Sequence, residues 1–256
     1  MSISQNNQAN KEFFASFRPH AHYRESFYRK IIQLEPAEVL DIGCGDGALL
    51  QRLTQDGISA TGVDLSKSAI EEVQYKGLDG IVIDAYDLPF EDKTFELVVS
   101  EYSAHHMQDI NRVVAEALRV SRKGVLFLDM WFDQTHQCGR LAARFDRWCK
   151  AIDRRAGEIH NPAFTTAELF KIFSQIGHLH QFPLLIEMQT QLIPVPLTTD
   201  QYMRTIDSQL AKIKTIPDSM RELQNIRSLI QRHGLYEDGA QIISALKIKP
   251  LMAYLG

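Results

Sequence analysis

The sequence is poor in cysteine, lacks any long apolar run and has no excess of charge of either sign. Its three cysteines, Cys44, Cys138 and Cys149, have no metal-ligand spacing, and their odd number does not suit a disulfide framework. Nowhere do about 18 apolar residues follow one another, which argues against a membrane-spanning helix. A net charge of −4, from 28 basic and 32 acidic residues, gives no global field that favours nucleic acid or an anionic membrane. We therefore expect a cytoplasmic protein with no metal site and no membrane partner, and a nucleic-acid partner would need a local basic patch.

The chain does contain short apolar runs that alternate with amphipathic stretches. This alternation is typical of βαβ units that build a doubly wound parallel sheet. Strands are predicted near residues 38–42, 60–63, 80–83, 95–100 and 124–129, and helices near 47–55, 67–75 and 109–120. With 256 residues, the chain is long enough for one α/β domain of this kind with insertions. The predicted fold class is α/β.

The most informative motif is a glycine-rich turn at residues 43–47, directly after the first predicted strand. Its spacing is G-x-G-x-G, and Asp41 stands two residues before the first glycine. Glycines allow left-handed backbone conformations and the close approach of a ligand, and the first N–H groups of the following helix face that ligand. Because a carboxylate lies beside the turn, a cofactor with a positive charge suits it better than a pyrophosphate does.

Four sequence blocks resemble the class I S-adenosylmethionine-dependent methyltransferases. Residues 39–50, with Gly62-Val63-Asp64 downstream, are similar to motif I and the acidic loop that follows it. The resemblance continues through residues 84–90 and 95–100 and into His105-His106. Four blocks in the family's order are far more specific than one glycine turn. The resemblance implies a Rossmann-like, seven-stranded sheet with an antiparallel seventh strand, and S-adenosylmethionine as the cofactor, with S-adenosylhomocysteine as its product.

The resemblance assigns the cofactor to the loops that follow the first four strands. Asp64 would accept hydrogen bonds from the ribose hydroxyls, with capping of the next helix as the alternative. Asp84 would accept a hydrogen bond from the adenine amino group, with a purely local turn as the alternative. Asp41 would orient the amino group of the methionine moiety. The expected cofactor-binding residues are Asp41, Gly43, Cys44, Gly45, Asp64, Leu65, Asp84, Ala85, Ser100 and Glu101.

The acceptor pocket is predicted beside the carboxyl end of the fourth strand. A sulfonium is already an activated leaving group, so positioning can supply most of the catalysis and a base is optional. His105 and His106 are the candidate catalytic bases by residue type and location, with a structural role as the alternative. Tyr102 is expected to line the same pocket. Arg18 and Tyr23 are candidate contacts for the substrate or the methionine carboxylate, with an ordinary N-terminal helix as the alternative.

The second half of the chain departs from a minimal domain. The expected organisation is an N-terminal helical cap at 1–36, a cofactor-binding core at 37–133, a helical insertion at 134–161 and the rest of the sheet at 162–256. In this last part, a capping box predicts a helix that starts near Thr165, strands are predicted near 182–193 and 241–254, and a helical insertion is predicted at about 196–236. We expect the insertions to form a lid, with a dimer interface as the alternative.

Three functions are compatible with these patterns. The first is a methyltransferase that acts on a small-molecule acceptor by in-line transfer. The second is an RNA or protein methyltransferase, for which the basic residues of the 138–156 helix would supply a phosphate-binding face, although a solvated face with ion pairs is the commoner arrangement. The third is a catalytically silent cofactor-binding partner subunit. The sequence leaves open the acceptor and the choice between monomer and homodimer.

Overall fold

The computed structural model describes residues 18–212 and 217–248. Seven strands form one sheet within these residues, namely β1 (Glu38–Ile42), β2 (Ser59–Asp64), β3 (Asp79–Val82), β4 (Phe95–Glu101), β5 (Ser121–Trp131), β6 (Leu184–Gln191) and β7 (Gly239–Lys247). Their order across the sheet is β3-β2-β1-β4-β5-β7-β6. The last part of the predicted seventh strand, residues 249–254, lies outside the described residues.

The sheet is parallel except for β7. Strand β1 pairs in parallel with β2 and β4, β2 pairs with β3, and β4 pairs with β5. Strand β7 lies between β5 and β6 and is antiparallel to both. The predicted α/β class, with a Rossmann-like doubly wound sheet and an antiparallel seventh strand, is confirmed.

Eight helices accompany the sheet in the described part of the chain. They are α1 (Arg18–Ile32), α2 (Ala48–Gln55), α3 (Lys67–Tyr75), α4 (Ile110–Val120), α5 (Gln137–Arg155), α6 (Thr166–Leu179), α7 (Thr199–Ala211) and α8 (Pro217–His233). Local chemistry sets several of their first residues. Asp109 caps α4 by accepting hydrogen bonds from the amides of Asn111 and Arg112. The predicted capping box of Thr165 and Glu168 is present at the start of α6.

Side-chain alternation along the strands builds a hydrophobic core on each face of the sheet. Val39 packs in the cluster that contains the apolar residues of α1, α2 and α3. Its neighbour Leu40 points to the opposite face and packs in the cluster that contains those of α4 and α6. The sheet is therefore covered on both faces, as parallel strands require. This arrangement leaves the carboxyl ends of β1, β2 and β4 together at one edge, where their loops can meet.

A third hydrophobic cluster lies apart from these two cores. Helices α5, α7 and α8 pack against one another through Trp148, Ile206, Ile226 and other buried residues, and we call this unit the three-helix annex. The segments that lead into and out of α7 and α8 pair with each other, because the amide of Leu197 donates to the carbonyl of Leu235 at 2.8 Å. We call this pairing the neck. No helix in the described residues is long and apolar enough to cross a membrane.

Replacement of Ile226 by Ala tests whether the annex shares the cooperative unfolding of the domain. Ile226 is fully buried in the annex cluster, and truncation of such a side chain costs about 2–5 kcal/mol of unfolding free energy. We expect a loss of this size in denaturant melts. Met220→Ala on the same helix is the matched control, since Met220 is exposed and should change the free energy by less than about 0.5 kcal/mol. Equal effects of the two substitutions would contradict the packing described for α8.

Candidate functional site

The glycine turn connects β1 to α2 and is held by β2. The amide of Gly43 donates to the carbonyl of Val63 at 2.8 Å. Gly43, Gly45 and Gly47 have φ angles of 71°, 53° and 77°, in a region that other residues rarely adopt. A Cβ on Gly43 would lie 2.5 Å from the Cβ of Ser103, whereas a Cβ on Gly45 would meet nothing within 4 Å. Gly45 therefore borders open space at the mouth of the turn.

Asp64 joins the end of β2 to the glycine turn. Its Oδ2 accepts a hydrogen bond from the amide of Gly45 at 3.0 Å, and its Oδ1 accepts one from the amide of Ser66 at 2.8 Å. The cap of α3 is Ser66, whose hydroxyl accepts from the amide of Ala69. Asp64 is therefore not the helix cap, and its carboxylate lies directly beside the turn. The ribose contact expected for it stays a prediction.

The loops after β2 and β3 place three further predicted residues at this edge of the sheet, namely Leu65, Asp84 and Ala85. The Leu65 side chain is 66% exposed, which leaves an apolar surface beside Asp64. Asp84 is exposed, and its Oδ1 accepts a hydrogen bond from the amide of Tyr86 at 3.0 Å. The local turn is therefore present, but a carboxylate has lone pairs for further donors. Ala85 packs against the core below.

Asp41 lies in the interior beneath the turn. Its side chain is 2% exposed, and its Oδ1 is buried without a hydrogen-bond partner. Burial, followed by the negative charges of Glu101 and Asp64, raises the pKa of Asp41 well above its usual range. A buried polar atom without a partner costs about 1–3 kcal/mol. This carboxyl is therefore suited to a cationic hydrogen-bond donor that enters the site.

Glu101 brings a second, partly buried carboxylate close to Asp41 and pairs with helix α1. The Nη1 of Arg24 lies 2.6 Å from Oε1 of Glu101. Burial raises the pKa of Glu101, although Arg24 opposes the shift. Because the Arg24 side chain is 48% exposed, its guanidinium can also receive an anionic group of a ligand. Helix α1 thus supplies a cation at the carboxyl end of β4.

Ser100 stabilises the ends of the central strands. It is fully buried, and its hydroxyl lies 2.5 Å from the hydroxyl of Ser103. Ser103 in turn donates to the carbonyl of Ile42 at 2.9 Å. These bonds fix the loop after β4 against the last residue of β1. The ligand contact expected for Ser100 stays a prediction.

Tyr102 has a strained backbone and an unsatisfied hydroxyl. Its φ is +50°, which costs a residue with a Cβ about 1–3 kcal/mol. Its amide donates to the carbonyl of Leu128 at 2.7 Å, which holds this conformation. The buried hydroxyl has no hydrogen-bond partner, and burial raises its pKa. Strain and an unsatisfied polar group next to Arg24 and Glu101 are typical of ligand-binding positions.

The two residues predicted in the N-terminal segment occupy different environments. Tyr23 is fully buried, and its hydroxyl accepts a hydrogen bond from the amide of Ile193 at 2.8 Å. It therefore lies in the core between α1 and the segment after β6. Arg18 begins α1, and its side chain lies outside the described part of the structure. The substrate contacts of both residues stay predictions.

The histidine pair lies in a short 3-10 turn after β4. The Nδ1 of His105 is 2.6 Å from Oδ1 of Asp129, and both side chains are buried. His106 is exposed, yet partial desolvation and the nearby imidazoles of His105 and His160 lower its pKa to about 4. The ring of His160, from the loop after α5, stacks on His106 with centroids 4.5 Å apart. Three imidazoles therefore form one cluster beside the ends of β4 and β5.

Cys44 fills space within the glycine turn. It is buried, and a Cβ on Gly62 would come within 2.7 Å of its Sγ. Burial raises the pKa of the Cys44 thiol, so the thiol is protonated at neutral pH and is a poor nucleophile. All three cysteines are free. The residue therefore shapes the turn without offering a reactive group.

Sequence reasoning missed three features of this site. Arg24 was not singled out, because its pairing with Glu101 depends on how α1 lies against the sheet. His160 has no spacing signal that links it to the histidine pair. A cleft between the end of β5 and α5 was also not foreseen; it is lined by Trp131, Phe132, Gln134, Ala143, Asp146, Arg147, Ala163, Phe164 and Thr165.

The sequence matches a family model and several curated proteins over part of its length. Residues 40–128 match the family model described as "Methyltransferase domain". Phthiotriol/phenolphthiotriol dimycocerosates methyltransferase 1 of Mycobacterium ulcerans is 35% identical over 107 residues, which cover 39% of this chain and 40% of that protein. Demethylmenaquinone methyltransferase of Thermotoga maritima is 33% identical over 118 residues, which cover 44% of this chain and 52% of that protein. The matched segment thus spans about half the length of these relatives or less.

The fold is shared over a longer part of the chain. The YcgJ protein from Bacillus subtilis superposes with a TM-score of 0.60 at 19% identity, covering 88% of this chain and all of that protein (100%). At such an identity the likeness concerns the fold. The elements after residue 128 thus have a structural counterpart even though the family model ends there.

Proposed function

We propose that this chain is a class I S-adenosylmethionine-dependent methyltransferase, which transfers the methyl group of this cofactor, in line, to a small-molecule acceptor. The observation that carries this proposal is the buried carboxyl of Asp41, whose Oδ1 has no partner. It lies beneath a turn whose Gly45 faces open space. A cofactor with an α-ammonium group satisfies that oxygen and neutralises its charge.

The other residues of the edge fit the remaining parts of the cofactor. Arg24 offers a half-exposed guanidinium for the methionine carboxylate, next to Glu101. Asp64 offers carboxylate oxygens for the ribose hydroxyls, and exposed Leu65 offers an apolar surface for the adenine ring. Asp84 follows the neighbouring strand β3, and its carboxylate suits a hydrogen bond from the adenine amino group. We assign Gly43, Cys44, Ala85 and Ser100 to shaping these loops.

The chemistry requires mainly that the chain position its two ligands. The cofactor, when bound, supplies a methyl group on a sulfonium, which is an activated leaving group. Orientation of an acceptor in line with that methyl contributes about 7–11 kcal/mol in well-aligned reactions. Of the two candidate bases, His106 has the more accessible ring, but its low pKa makes it a weak proton acceptor, which suits an acceptor that needs no base. His105 is buried against Asp129, which suits a positioning role.

The acceptor is proposed to bind in the cleft between β5 and α5. Trp131, Phe132 and Phe164 give this cleft apolar walls, and Asp146 and Arg147 add polar groups. Mixed walls of this kind suit a small organic molecule with an apolar body and a polar substituent. The names of the two relatives above also refer to small molecules, a phthiotriol lipid and a demethylmenaquinone. The insertion at 134–161 and the one at about 196–236 would then cover the acceptor as a lid.

The described contacts of the basic helix face weigh against an RNA acceptor. Arg144 pairs with Glu222 through two short hydrogen bonds of 2.6 and 2.8 Å. Lys150 is buried and pairs with Asp146 at 3.1 Å. Arg154 donates to the carbonyl of His160. Groups already engaged within the protein contribute little to phosphate binding, so we favour the small-molecule acceptor. The three free cysteines are consistent with the proposed cytoplasmic location.

A thermal-shift titration tests the cofactor assignment. A ligand that binds only the native state adds about 2.7 kcal/mol of stability at a hundred times its dissociation constant. We expect S-adenosylmethionine and S-adenosylhomocysteine to raise the melting temperature in a saturable manner. NAD serves as the control nucleotide and should leave it unchanged. A rise with NAD and none with the two sulfur compounds would refute the proposed function.

A further inference from the structure

The three imidazoles near β4 and β5 are arranged like metal ligands. One ligand nitrogen from each of His105, His106 and His160 can be chosen so that all three lie within 4.8 Å of one another. The ring centroids are separated by 4.3, 4.5 and 5.3 Å. Rings that bind one ion through a single nitrogen each have centroids about this far apart, given metal–nitrogen distances of about 2.0–2.1 Å.

The hydrogen bonds of the three rings indicate which nitrogen of each ring is free to bind an ion. Nδ1 of His106 lies 3.2 Å from the backbone carbonyl of Ile159, which can only accept, so this Nδ1 carries the proton. Nδ1 of His105 faces Asp129. The two oxygens of Asp129 also accept hydrogen bonds from the amides of His105 and Met130, so this carboxyl is an acceptor and Nδ1 of His105 donates to it at 2.6 Å.

The third ring follows the same rule. Nδ1 of His160 lies 2.6 Å from Oδ2 of Asp153. The other oxygen of Asp153 accepts a hydrogen bond from the ammonium of Lys212 at 2.5 Å, so this carboxyl is an acceptor as well. With all three Nδ1 atoms donating, each neutral ring keeps its lone pair on Nε2. Histidine ligands with a carboxylate or carbonyl on the second nitrogen are the usual arrangement around protein-bound zinc, because the acceptor fixes the tautomer and the ring orientation.

The backbone holds this arrangement in place before any ion arrives. The amide of Asn161 donates to the carbonyl of His105 at 2.7 Å, and its side chain donates to the carbonyl of Met107 at 2.7 Å. These two bonds tie the loop that carries His160 to the turn that carries the other two histidines. The ligands therefore come from two chain segments that are already docked, which lowers the entropic cost of binding.

We propose that His105, His106 and His160 bind a divalent transition-metal ion, with zinc as the best match, through their Nε2 atoms. Imidazole ligands suit zinc, and three protein ligands leave a fourth position for water or another molecule. Tetrahedral geometry needs Nε2 atoms about 3.4 Å apart, so the rings must close inward when an ion binds, while each Nδ1 keeps its acceptor. This site replaces the sequence-based expectation that no metal is bound.

A neighbouring group of possible ligands is less suitable. Asp153, Glu158 and His160 also come close together. The ammonium of Lys212, however, lies 2.5 Å from Oδ1 of Asp153 and 3.1 Å from Oε1 of Glu158. These two carboxylates already neutralise a cation, so a metal ion would have to displace it. The three-histidine set has no such competitor among its described contacts.

Metal titration of the purified full chain tests the inference. After treatment with a chelator and dialysis, the chain should bind one cobalt(II) ion with visible d–d absorption bands, and zinc should displace the cobalt. No cofactor or acceptor is present in this assay, so its outcome is independent of the proposed methyl transfer. Metal binding and catalysis by His106 as a base exclude each other, because both use its Nε2.

Two ligand variants and one control make the test specific. His106→Gln and His160→Gln should each weaken cobalt binding by about tenfold or more. His178→Gln is the control, since His178 is exposed on α6 and lies outside the cluster. Because His106 is exposed, its variant should melt at the wild-type temperature, which separates loss of a ligand from loss of the fold. Absence of stoichiometric cobalt and zinc binding, or equal affinity in the His106→Gln variant, would overturn the inference.

Discussion

Replacement of Asp41 by Asn is expected to weaken binding of S-adenosylmethionine by about 10- to 150-fold. A hydrogen bond between charged groups contributes about 1.5–3 kcal/mol, and every 1.4 kcal/mol changes a dissociation constant about tenfold. Asn keeps the size of the side chain but cannot neutralise an ammonium group. Isothermal titration calorimetry with S-adenosylmethionine and S-adenosylhomocysteine measures the loss directly.

The same substitution should stabilise the cofactor-free protein. Asp41 has a raised pKa because it is buried near Glu101 and Asp64, so the folded chain retains its proton to a higher pH than the unfolded chain does. The free energy of unfolding therefore falls as pH rises from the ordinary carboxyl pKa towards the raised one. In the Asn variant this decline should be smaller. Denaturant melts at several pH values, without cofactor, measure both effects.

Weaker cofactor binding together with higher stability distinguishes a lost ligand contact from misfolding of the Asp41 variant. A variant that binds the cofactor weakly because it is misfolded would also be less stable. Unchanged affinity together with higher stability would instead show that Asp41 does not contact the cofactor. Glu187→Gln provides a control for charge removal, because Glu187 is exposed on β6, at the opposite edge of the sheet from the glycine turn.

Replacement of Gly45 by Ala is expected to weaken cofactor binding with only a modest loss of stability. Its φ is +53°, where a Cβ costs about 1–2 kcal/mol. A Cβ at this position would meet no protein atom within 4 Å and would instead occupy the space beside the turn. Overfilling a well-packed site costs about 1–3 kcal/mol, or about 5- to 150-fold in affinity.

Gly57→Ala is the matched control for Gly45→Ala. Gly57 also has a positive φ, of 81°, and a Cβ there would likewise meet nothing within 4 Å. It lies in an exposed loop between α2 and β2, away from the turn. Both variants should therefore lose similar stability, while only Gly45→Ala should lose affinity for S-adenosylmethionine by calorimetry. Equal affinities in the two variants would show that the space beside Gly45 is not part of the cofactor site.

The parallel half of the sheet could be predicted because its signals are local. Each strand from β1 to β5 is a short apolar run, and each is followed by a turn or cap within a few residues. The glycine turn needs positive φ at Gly43, Gly45 and Gly47, and the sequence provides glycine at all three positions. The antiparallel direction of β7 was implied by the family resemblance, since nothing local sets the direction of a strand, whereas the helices before it follow from the spacing of their apolar residues.

The parts of the candidate site that were missed depend on contacts between distant segments. Arg24 meets Glu101 only because α1 packs against the central strands, and no spacing connects the two residues. His160 reaches the histidine pair because Asn161 fastens its loop to the carbonyl of His105. The ion pairs expected for the basic run on α5 are present, but some of them too join distant segments. Its partners, such as Glu222 on α8, lie on other helices and are invisible in the local pattern.

The neck gives the chain a modular architecture. The strands β6 and β7 are already neighbours in the sheet, and the segments beyond them stay paired from Val195 and Glu237 to Leu197 and Leu235. The two ends of the α7–α8 hairpin therefore leave the sheet side by side, so its length can change without a shift in strand register. Closing a loop twice as long costs only about 0.6 kcal/mol more. During evolution, such a hairpin can be lengthened or exchanged while the edge that carries the glycine turn stays constant, provided that the new hairpin covers the apolar side of α5.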